Sequence, residues 1–453
     1  MKTRWIPLFL AVLVIVGLCG CNGGASKETS NGNKVLKLAY FSMNNTDESI
    51  LELAAKTFQK NNPGVAVEIT DYSKKGYNID KYIKTINTQL MAGKGPDIVP
   101  IAYLPAIKYI RKNIFADISG YIGKDNEFND ENYFMNVVNA CKYKGAIYAL
   151  PVYFDIRAVI ASKDAINEDN IHIDDKTWSL RDFIDLCRKE TRDLNGDGLA
   201  DKYALPKVPI ESLVSLFVST EKYVDYEKLN ASFSSGEFEE LIGYLKALDI
   251  EKLTHPQLSI AENIPYKQSQ ACVFSGGDIY GYKGLLSMKY RLGGGDRVLY
   301  RLPTSTREGG ETFGSPLMLA INNKSKVKDY AWGFINLMAS KEMQSYYGGA
   351  GSNSGFPIYK PAFANQLQEV TRLDWRVRDD DNWIPIRFSK DELKFVQDYV
   401  KEIDRFSYSD SRIYEIVIDE IKTLFNKNPD LQAKDIKKVS EEIQQRVNLY
   451  LKE

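Results

Sequence analysis

The stretch NTDESILELAAKTFQKNNPGVAVEI, residues 45–69, predicts a helix followed directly by a strand. Asn45 and Glu48 stand three residues apart, which is the spacing of a capping box at a helix N-terminus. Pro63 and Gly64 are typical of a helix end, and VAVEI after them predicts a strand. Apolar residues recur between these signals at helical intervals and would share one buried face: Ile50, Leu51, Ala54 and Phe58.

The same alternation continues on both sides of this stretch. VLKLAYF at residues 35–41 predicts a strand, NIDKYIKTINTQLMAG at residues 78–93 a helix, and PDIVPI at residues 96–101 a short buried strand. Strands that alternate with helices predict a parallel sheet with helices packed on its faces. Ligands bind such sheets beyond the carboxyl ends of the strands. The candidate binding loops are therefore residues 42–46, 71–78 and 102–105.

The N-terminus, MKTRWIPLFLAVLVIVGLCGC, has the pattern of a secretory signal. Lys2 and Arg4 precede an uncharged apolar run that is too short for a comfortable membrane span. The run ends in LCGC, which resembles the bacterial lipobox and implies cleavage before Cys21 and attachment of lipid to its thiol. A plain signal peptide with accidental cysteines is the alternative. We therefore expect a signal peptide at residues 1–20 and a lipidated flexible tether at residues 21–34.

Charge and composition exclude some classes of partner. The 453 residues contain 59 Lys and Arg against 60 Asp and Glu, a net charge of −1. A nucleic-acid-binding face would need a basic excess, so no nucleic-acid partner is expected. The chain has 28 Tyr but 2 His, which favours binding of polar ligands on rings over general-base chemistry. Three scattered cysteines predict buried thiols, although one pair could bridge: Cys141, Cys187 and Cys272.

Six segments in order resemble the extracellular solute-binding proteins of bacterial ABC importers, in the large cluster that mostly binds sugars. The resemblance covers nearly the whole chain after the signal. The segments are KNNPGVAVEI, QLMAGKGPDIV, GAIYALPVYFDIRAVIASKD, FGSPLMLAINNKSKVKDYAWGFINLMASKEMQ, SGFPIYKPAF and EEIQQRVNLYLKE.

The resemblance implies an α/β fold of the type II periplasmic-binding-protein kind, with two lobes and a ligand cleft between them. The hinge would contain several crossings of the chain, at GAIYALPVYFD, at LPTSTREGGETFGSPLMLAI and at GGAGSNSGFPIYK. Two ranges would form the first lobe, and two would form the second. They are residues 35–152 and 313–350 for the first lobe, and residues 153–312 and 351–453 for the second.

Aromatic and polar residues near these crossings are the candidate ligand contacts. Rings suit the apolar C–H faces of sugars, and carboxylates and amides suit their hydroxyl edges. In the family, a Gly-rich turn like SGGDIYG contributes to the pocket. Many relatives carry Trp there, but this chain does not, so the particular sugar stays open. The candidates are Tyr40, Phe41, Asn44, Tyr103, Tyr153, Asp155, Asp278, Tyr280 and Ser315.

Tyr153 and Asp155 are the strongest pair among these candidates. Residues two apart on a strand point to the same side, so a ring and a carboxylate could face the cleft together. The alternative for Asp155 is a hinge salt bridge with Arg157. For each aromatic residue taken singly, packing in the core is the alternative to ligand contact.

DLNGDGLADKY, beginning at residue 193, has the spacing of a calcium loop. Gly198 stands at position 6 of that spacing, but Ala204 stands where a closing bidentate Glu is expected. No second helix follows, so a structural staple of the second lobe is favoured over a calcium switch. A simple Gly- and Asp-rich turn is the alternative. The expected Ca²⁺ ligands are Asp193, Asn195, Asp197, the Leu199 carbonyl and Asp201.

The resulting hypothesis is a monomeric protein, lipid-anchored on the outer face of the cell membrane. It would capture a sugar or oligosaccharide, pass it to the permease subunits of an ABC transporter and catalyse no reaction. Enzyme motifs fail, since SKVK at Ser325 lacks the companion motifs of penicillin-recognising enzymes and no His-Glu-x-x-His occurs. A calcium-stabilised carbohydrate-active enzyme and a surface sensor that presents ligand to a kinase are the alternatives.

Overall fold

A computed structural model describes residues 34–41, 48–220, 222–259, 272–291, 296–304, 310–347, 355–372, 374–379, 382–408, 410–427 and 431–453. The predicted signal peptide, the lipidation site Cys21 and the pocket candidate Asn44 lie outside these residues. No helix among the described residues is long and apolar enough to cross a membrane.

The helices and strands alternate along much of the described chain. The strands are β1 Lys34–Tyr40, β2 Val65–Asp71, β3 Ile98–Pro100, β4 Ala149–Pro151, β5 Tyr153–Phe154, β6 Ile156–Ser162, β7 Leu205–Lys207, β8 Val224–Asp225, β9 Asn230–Ala231, β10 Thr254–Ser259, β11 Phe274–Ile279, β12 Arg297–Tyr300, β13 Glu311–Phe313, β14 Met318–Ile321, β15 Phe356–Pro357, β16 Trp375–Asp379, β17 Asn382–Ile386 and β18 Ile403–Phe406. The helices are α1 Glu48–Asn61, α2 Ile79–Met91, α3 Ala106–Arg111, α4 Ser119–Ile122, α5 Met135–Ala140, α6 Lys163–Glu168, α7 Leu180–Glu190, α8 Ile210–Thr220, α9 Gly236–Ile250, α10 Gly281–Arg291, α11 Lys328–Ala339, α12 Lys341–Tyr347, α13 Lys360–Arg372, α14 Lys390–Glu402, α15 Ser411–Lys427 and α16 Ala433–Lys452.

The first sheet has the strand order β2-β1-β3-β14-β4. β1 is parallel to β2 and β3, which confirms the parallel sheet predicted from the alternation of strands and helices. β14 runs antiparallel to both β3 and β4. The apolar face predicted for α1 is buried, with Ile50 2% and Phe58 4% exposed. α2 begins where its pattern predicts, because the Asn78 side chain accepts a hydrogen bond from the Lys81 N–H.

The second sheet has β6 in the middle, antiparallel to β11 on one side and to β12 on the other. The chain passes from β4 in the first sheet to β6 in the second through β5. It returns from β12 to β14 through β13. The segments between the sheets pair with one another: β5 with β15, Asp155 with Gly314, and β13 with β18. These pairings bring segments that are far apart in sequence into one bundle of crossings.

Two clusters of buried side chains form the core. The first contains the buried residues of the first sheet and α11, together with Phe356, Phe363 and Val400. The second surrounds α7 and α9 and takes in α15 and α16. The resemblance assigns residues 351–453 to one lobe. In the structure, however, the core residues of this range up to Ile403 belong to the first cluster, and those from Ile413 onward belong to the second. The four ranges that we assigned to the lobes stay a prediction.

A fully buried ion pair ties α10 to α14. Lys289 Nζ lies 2.7 Å from Glu392 Oε1, and both side chains are 0% exposed. The ammonium also donates to the Arg387 carbonyl at 2.6 Å. Glu392 Oε2 accepts from the Ser389 N–H as part of the capping box that begins α14. All charges and most hydrogen-bonding groups of the pair are therefore satisfied inside the protein.

The three described cysteines are buried and unbridged, as their scatter predicts: Cys141, Cys187 and Cys272.

Candidate functional site

A cavity of about 650 Å³ lies between the two sheets. Its wall on the first-sheet side is the loop after β3, which contains Tyr103. The opposite wall is β11 from Ser275 to Asp278, with Tyr280 just beyond it. The crossings supply Asp155 and Gly314. The cavity therefore lies at the carboxyl end of β3, where the parallel part of the sheet predicts a ligand.

Asp155 stands at the junction of β5 and β6, on the cavity wall. Its backbone N–H donates to the Gly314 carbonyl at 3.0 Å, and the Gly314 N–H donates back to its carboxylate at 3.1 Å. The residue is 5% exposed. The carboxylate thus sits directly against the returning crossing, with one hydrogen bond from the protein.

Burial determines the protonation of Asp155. Loss of solvent, and to a smaller extent the neighbouring charge of Asp278, raises the pKa of this carboxyl from 3.8 to about 7. The Arg157 guanidinium and the Gly314 N–H act in the opposite direction. The folded protein therefore holds a carboxyl on the cavity wall that is neutral in mildly acidic solution.

Arg157 and Asp278 form an ion pair beside Asp155. The two residues are directly opposite each other on β6 and β11, and Arg157 Nε donates to Asp278 Oδ1 at 2.8 Å. The alternative of a salt bridge between Asp155 and Arg157 is therefore not what the structure shows. Arg157 is 9% exposed, and its Nη1 is buried without an acceptor among the described residues.

Two rings and a hydroxyl complete the predicted residues on the wall. Tyr280 is 40% exposed, and its hydroxyl donates to Asp278 Oδ2 at 3.5 Å. Tyr103 packs edge-on against Phe41, with ring centroids 5.8 Å apart. The Ser315 hydroxyl donates to the Tyr153 carbonyl at 2.6 Å, which joins two crossings. The structure thus brings together Tyr103, Asp155, Asp278, Tyr280 and Ser315.

Three predicted contacts lie in the core instead of on this wall. Tyr40 is 2% exposed, and Phe41 is 8% exposed and stacks on Tyr82. Tyr153 is 0% exposed, because β5 pairs with β15 and holds its side chain under the crossing segments. The strand is interrupted before Asp155, so the expected alternation does not carry both side chains to the cavity. Phe41 nevertheless contacts Tyr103, which lines the cavity.

Several cavity residues were not among the predicted contacts. Arg157 was considered only as a partner of Asp155. α8 lines the cavity with polar residues such as Ser212 and Ser215 and with apolar residues such as Leu216. The segment FSY at residues 406–408 also lines it. It places aromatic rings beside a polar side chain, as residues 153–155 also do, and that signal could have identified this segment.

A family model described as bacterial extracellular solute-binding protein matches residues 42–345. The chain belongs to this family. The family assignment agrees with a cavity enclosed between two sheets and their crossings, and it confirms the resemblance drawn from the six segments.

Solved structures show the same two-lobe type II fold as this solute-binding protein. An ABC substrate-binding protein of Listeria monocytogenes in complex with cycloalternan is 16% identical with a TM-score of 0.60, covering 91% of this chain and 99% of that one. The sugar-binding protein MalE of Xanthomonas citri is 15% identical with a TM-score of 0.62, covering 92% and 98%. The maltose/maltodextrin-binding domain of Bdellovibrio bacteriovorus, bound to maltotriose, is 15% identical with a TM-score of 0.54, covering 91% and 99%.

The loop predicted to bind Ca²⁺ lies outside this cavity in the solute-binding protein. Its oxygens accept hydrogen bonds from its own backbone: Asp193 from the Gly196 and Gly198 N–H groups, and Asp201 from the Leu194 N–H. The backbone hydrogen bonds lower the pKa of Asp193. Among the described residues, no group of three or more His, Cys, Asp or Glu is placed to hold a metal ion. The loop has the spacing of a calcium site without its convergent carboxylates.

The pH dependence of stability should reveal the burial of Asp155. Its pKa is raised on folding, so the folded state binds more protons than the unfolded state between 3.8 and about 7. Its contribution to the free energy of unfolding therefore falls as pH rises through this window. Asp155→Asn removes this contribution. The free energy of unfolding of the variant, relative to that of wild type, should therefore be higher at about pH 8 than at about pH 4. Urea unfolding at both pH values measures this, and an equal difference at the two would contradict it.

Gly314→Ala is expected to lower the free energy of unfolding by about 1–3 kcal/mol, as overpacking does. An added Cβ would lie 2.6 Å from Asp155 Oδ1 and 2.8 Å from Oδ2. Gly243→Ala in α9 is the matched control, since nothing lies within 4 Å of its added Cβ. That change should stabilise the helix by roughly 0.5–1 kcal/mol. Chemical unfolding of both variants tests the pair, and an unaffected Gly314→Ala protein would show that the carboxylate is packed elsewhere.

Proposed function

We propose that this protein captures a carbohydrate outside the cell and delivers it to the permease of an ABC transporter. One observation carries the proposal: the cavity between the sheets has Tyr103 and Tyr280 beside the Asp155, Arg157 and Asp278 cluster. Rings cover apolar C–H faces, while carboxylates and a guanidinium exchange hydrogen bonds with hydroxyl groups. The solved relatives of the same fold that hold cycloalternan or maltotriose support the choice of carbohydrate.

Capture would proceed by closure of the two lobes about the crossings. A ligand that touches both walls favours the closed state by its additional contacts there. Tyr103 comes from the first-sheet side, whereas Asp278 and Tyr280 come from β11 and its following turn. A ligand that contacts Tyr103 and Tyr280 together would therefore link the lobes.

A thermal-shift screen with a library of neutral and charged oligosaccharides tests the proposal. A ligand that binds only the folded protein raises its melting temperature. We expect stabilisation by at least one carbohydrate, at one ligand per protein in a following calorimetric titration and without conversion of the sugar. Turnover of the bound sugar would favour the carbohydrate-active enzyme. A library without any stabilising member would refute carbohydrate capture.

The proposed anchor is a lipid on Cys21, and its support is the LCGC sequence after the apolar run. Cys21→Ser is expected to release the protein from the membrane fraction, because the lipid would be the anchor after processing. Fractionation of cells that produce each form, followed by immunoblotting, measures this. Cys141→Ser, at a buried thiol, is the matched control and should stay membrane-bound. A Cys21→Ser protein that remains acylated would refute the lipobox assignment.

Binding of Ca²⁺ by residues 193–204 stays a prediction that rests on spacing alone. If the ion is a structural staple, a chelator should lower the melting temperature and leave the affinity for carbohydrate unchanged. An unchanged melting temperature would identify the loop as a turn held by its own hydrogen bonds. The permease contact and the monomeric state are likewise proposals, and the permease contact rests on the family.

A further inference from the structure

The charged side chains of the cavity wall do not balance one another. The described residues of the wall include three carboxylates and one guanidinium: Asp155, Glu211, Asp278 and Arg157. Arg157 pairs with Asp278 at 2.8 Å, and Glu211 pairs with Lys422 outside the wall at 2.6 Å. Asp155 accepts the Gly314 N–H, and no Lys or Arg of the described chain lies within ion-pair distance of it. One carboxyl on the wall, that of Asp155, is therefore left without a cation.

This carboxyl is placed where closure would remove water. Asp155 is already 5% exposed, and burying an isolated carboxylate costs free energy unless it gains a partner or a proton. Groups from every neighbouring element face it: Asp278 and Arg157 along the sheet, with Tyr280 beyond them and Tyr399 from α14. None of these supplies a further positive charge. A ligand cation would supply it.

The guanidinium next to Asp155 has the complementary requirement. Arg157 is 9% exposed, and its Nη1 is buried without a hydrogen-bond acceptor in the described part of the chain. An unsatisfied buried donor costs free energy that an acceptor would restore. The wall therefore presents a carboxyl that lacks a cation and, two residues along the chain, a guanidinium whose Nη1 lacks an acceptor in the described part of the chain.

We infer that the ligand is an amino sugar, or an oligosaccharide that contains one, whose ammonium group pairs with Asp155 and whose adjacent oxygen accepts from Arg157. This rests on the proposed function and specifies its ligand. An amino sugar places an ammonium and a hydroxyl on neighbouring carbons, which matches the two requirements. A neutral sugar would satisfy Arg157 but would leave Asp155 to be neutralised by a proton instead of a ligand cation after closure.

The test compares sugars that differ at one substituent. Glucose, glucosamine and N-acetylglucosamine form one set, and their β-1,4-linked oligomers form a second. The galactose series forms a third. Each set is titrated into the full-length protein by calorimetry near neutral pH. We expect the amino member of at least one set to bind ten-fold or more tightly than its neutral and acetylated counterparts, which corresponds to about 1.4 kcal/mol.

Asp155→Asn keeps the side-chain volume and an acceptor for Gly314 but removes the charge. The readout is the ratio of the affinities for the amino and the neutral member, which a general loss of affinity does not change. That ratio should fall towards one in Asp155→Asn. Asp117→Asn is the matched control, because Asp117 is exposed outside the cavity and also accepts one backbone N–H, from Ser119. It should keep the wild-type ratio.

The outcomes separate this inference from the proposed function. Neutral or acetylated members that bind as tightly as amino members overturn the amino-sugar inference and leave carbohydrate capture intact. The same holds if the neutral library contains ligands and no amino sugar binds. An unchanged ratio in Asp155→Asn overturns the role of Asp155 specifically. If no carbohydrate of any kind binds, the proposed function itself falls.

Discussion

Lys289→Met is expected to lower the free energy of unfolding by about 3–5 kcal/mol, the usual cost of removing one partner of a buried ion pair. The ammonium is within 2.8 Å of both oxygens of Glu392 and donates to the Arg387 carbonyl. Methionine leaves the Glu392 carboxylate buried without its counter-charge. Urea unfolding at neutral pH measures the loss. Because the pair joins α10 to α14, early unfolding of this region is the expected consequence.

Two further variants decide whether the buried charge is the cause. Lys289→Met combined with Glu392→Gln should recover part of the loss, since no charge remains buried and glutamine can still complete the capping box with Ser389. Lys394→Met is the matched control on the same helix, where Lys394 pairs with Asp398 at the surface. It should cost less than about 1 kcal/mol. A double variant as unstable as Lys289→Met would point to lost packing instead.

Asp155→Ala is expected to weaken carbohydrate binding by roughly ten- to a hundred-fold. Loss of a hydrogen bond or pair to a charged group costs about 1.5–3 kcal/mol, and each 1.4 kcal/mol is a factor of about ten. The carboxylate lies on the cavity wall with one hydrogen bond from the protein, so its remaining capacity is available to a ligand. Calorimetric titration with a carbohydrate identified in the screen measures the change.

The same titration contains its own controls. Asp117→Ala removes an exposed carboxylate outside the cavity and should leave the affinity unchanged. Thermal unfolding of Asp155→Ala should remain cooperative, because the variant removes a charge that is costly to bury. An unchanged affinity in a folded Asp155→Ala protein would take this residue out of the binding site.

Local sequence patterns predicted the first sheet well, since the periodicity of a helix or strand depends on neighbouring residues. The face of α1 with Ile50 and Phe58 and the parallel pairing of β1 with β2 were both predicted and confirmed. The polar residues after β3 and at the end of β11 were also predicted near a cavity, and Tyr103 and Asp278 line it. Their positions follow from the rule that ligands bind at strand ends.

Prediction of the site failed where strand alternation was assumed to continue through a crossing. Tyr153 is paired to β15 and buried, whereas Asp155 is paired to Gly314 and reaches the cavity. These partners lie more than 150 residues away in sequence, so no local pattern could separate the two neighbouring side chains. In the predicted Ca²⁺ loop, the correct spacing did not place three or more acidic side chains of the described chain as a metal-binding group.

The sequence by itself determined the alternation of strands and helices, the family and the general place of the cavity, because these depend on local periodicity and on the order of segments. Only the tertiary structure decided which carboxylates are paired. Arg157 meets Asp278 across the second sheet, and Lys289 meets Glu392 between α10 and α14. Ion pairing depends on distances of a few ångströms between segments far apart in the chain. The lack of a cation beside Asp155, and the ligand inferred from it, could therefore be identified only from the tertiary structure.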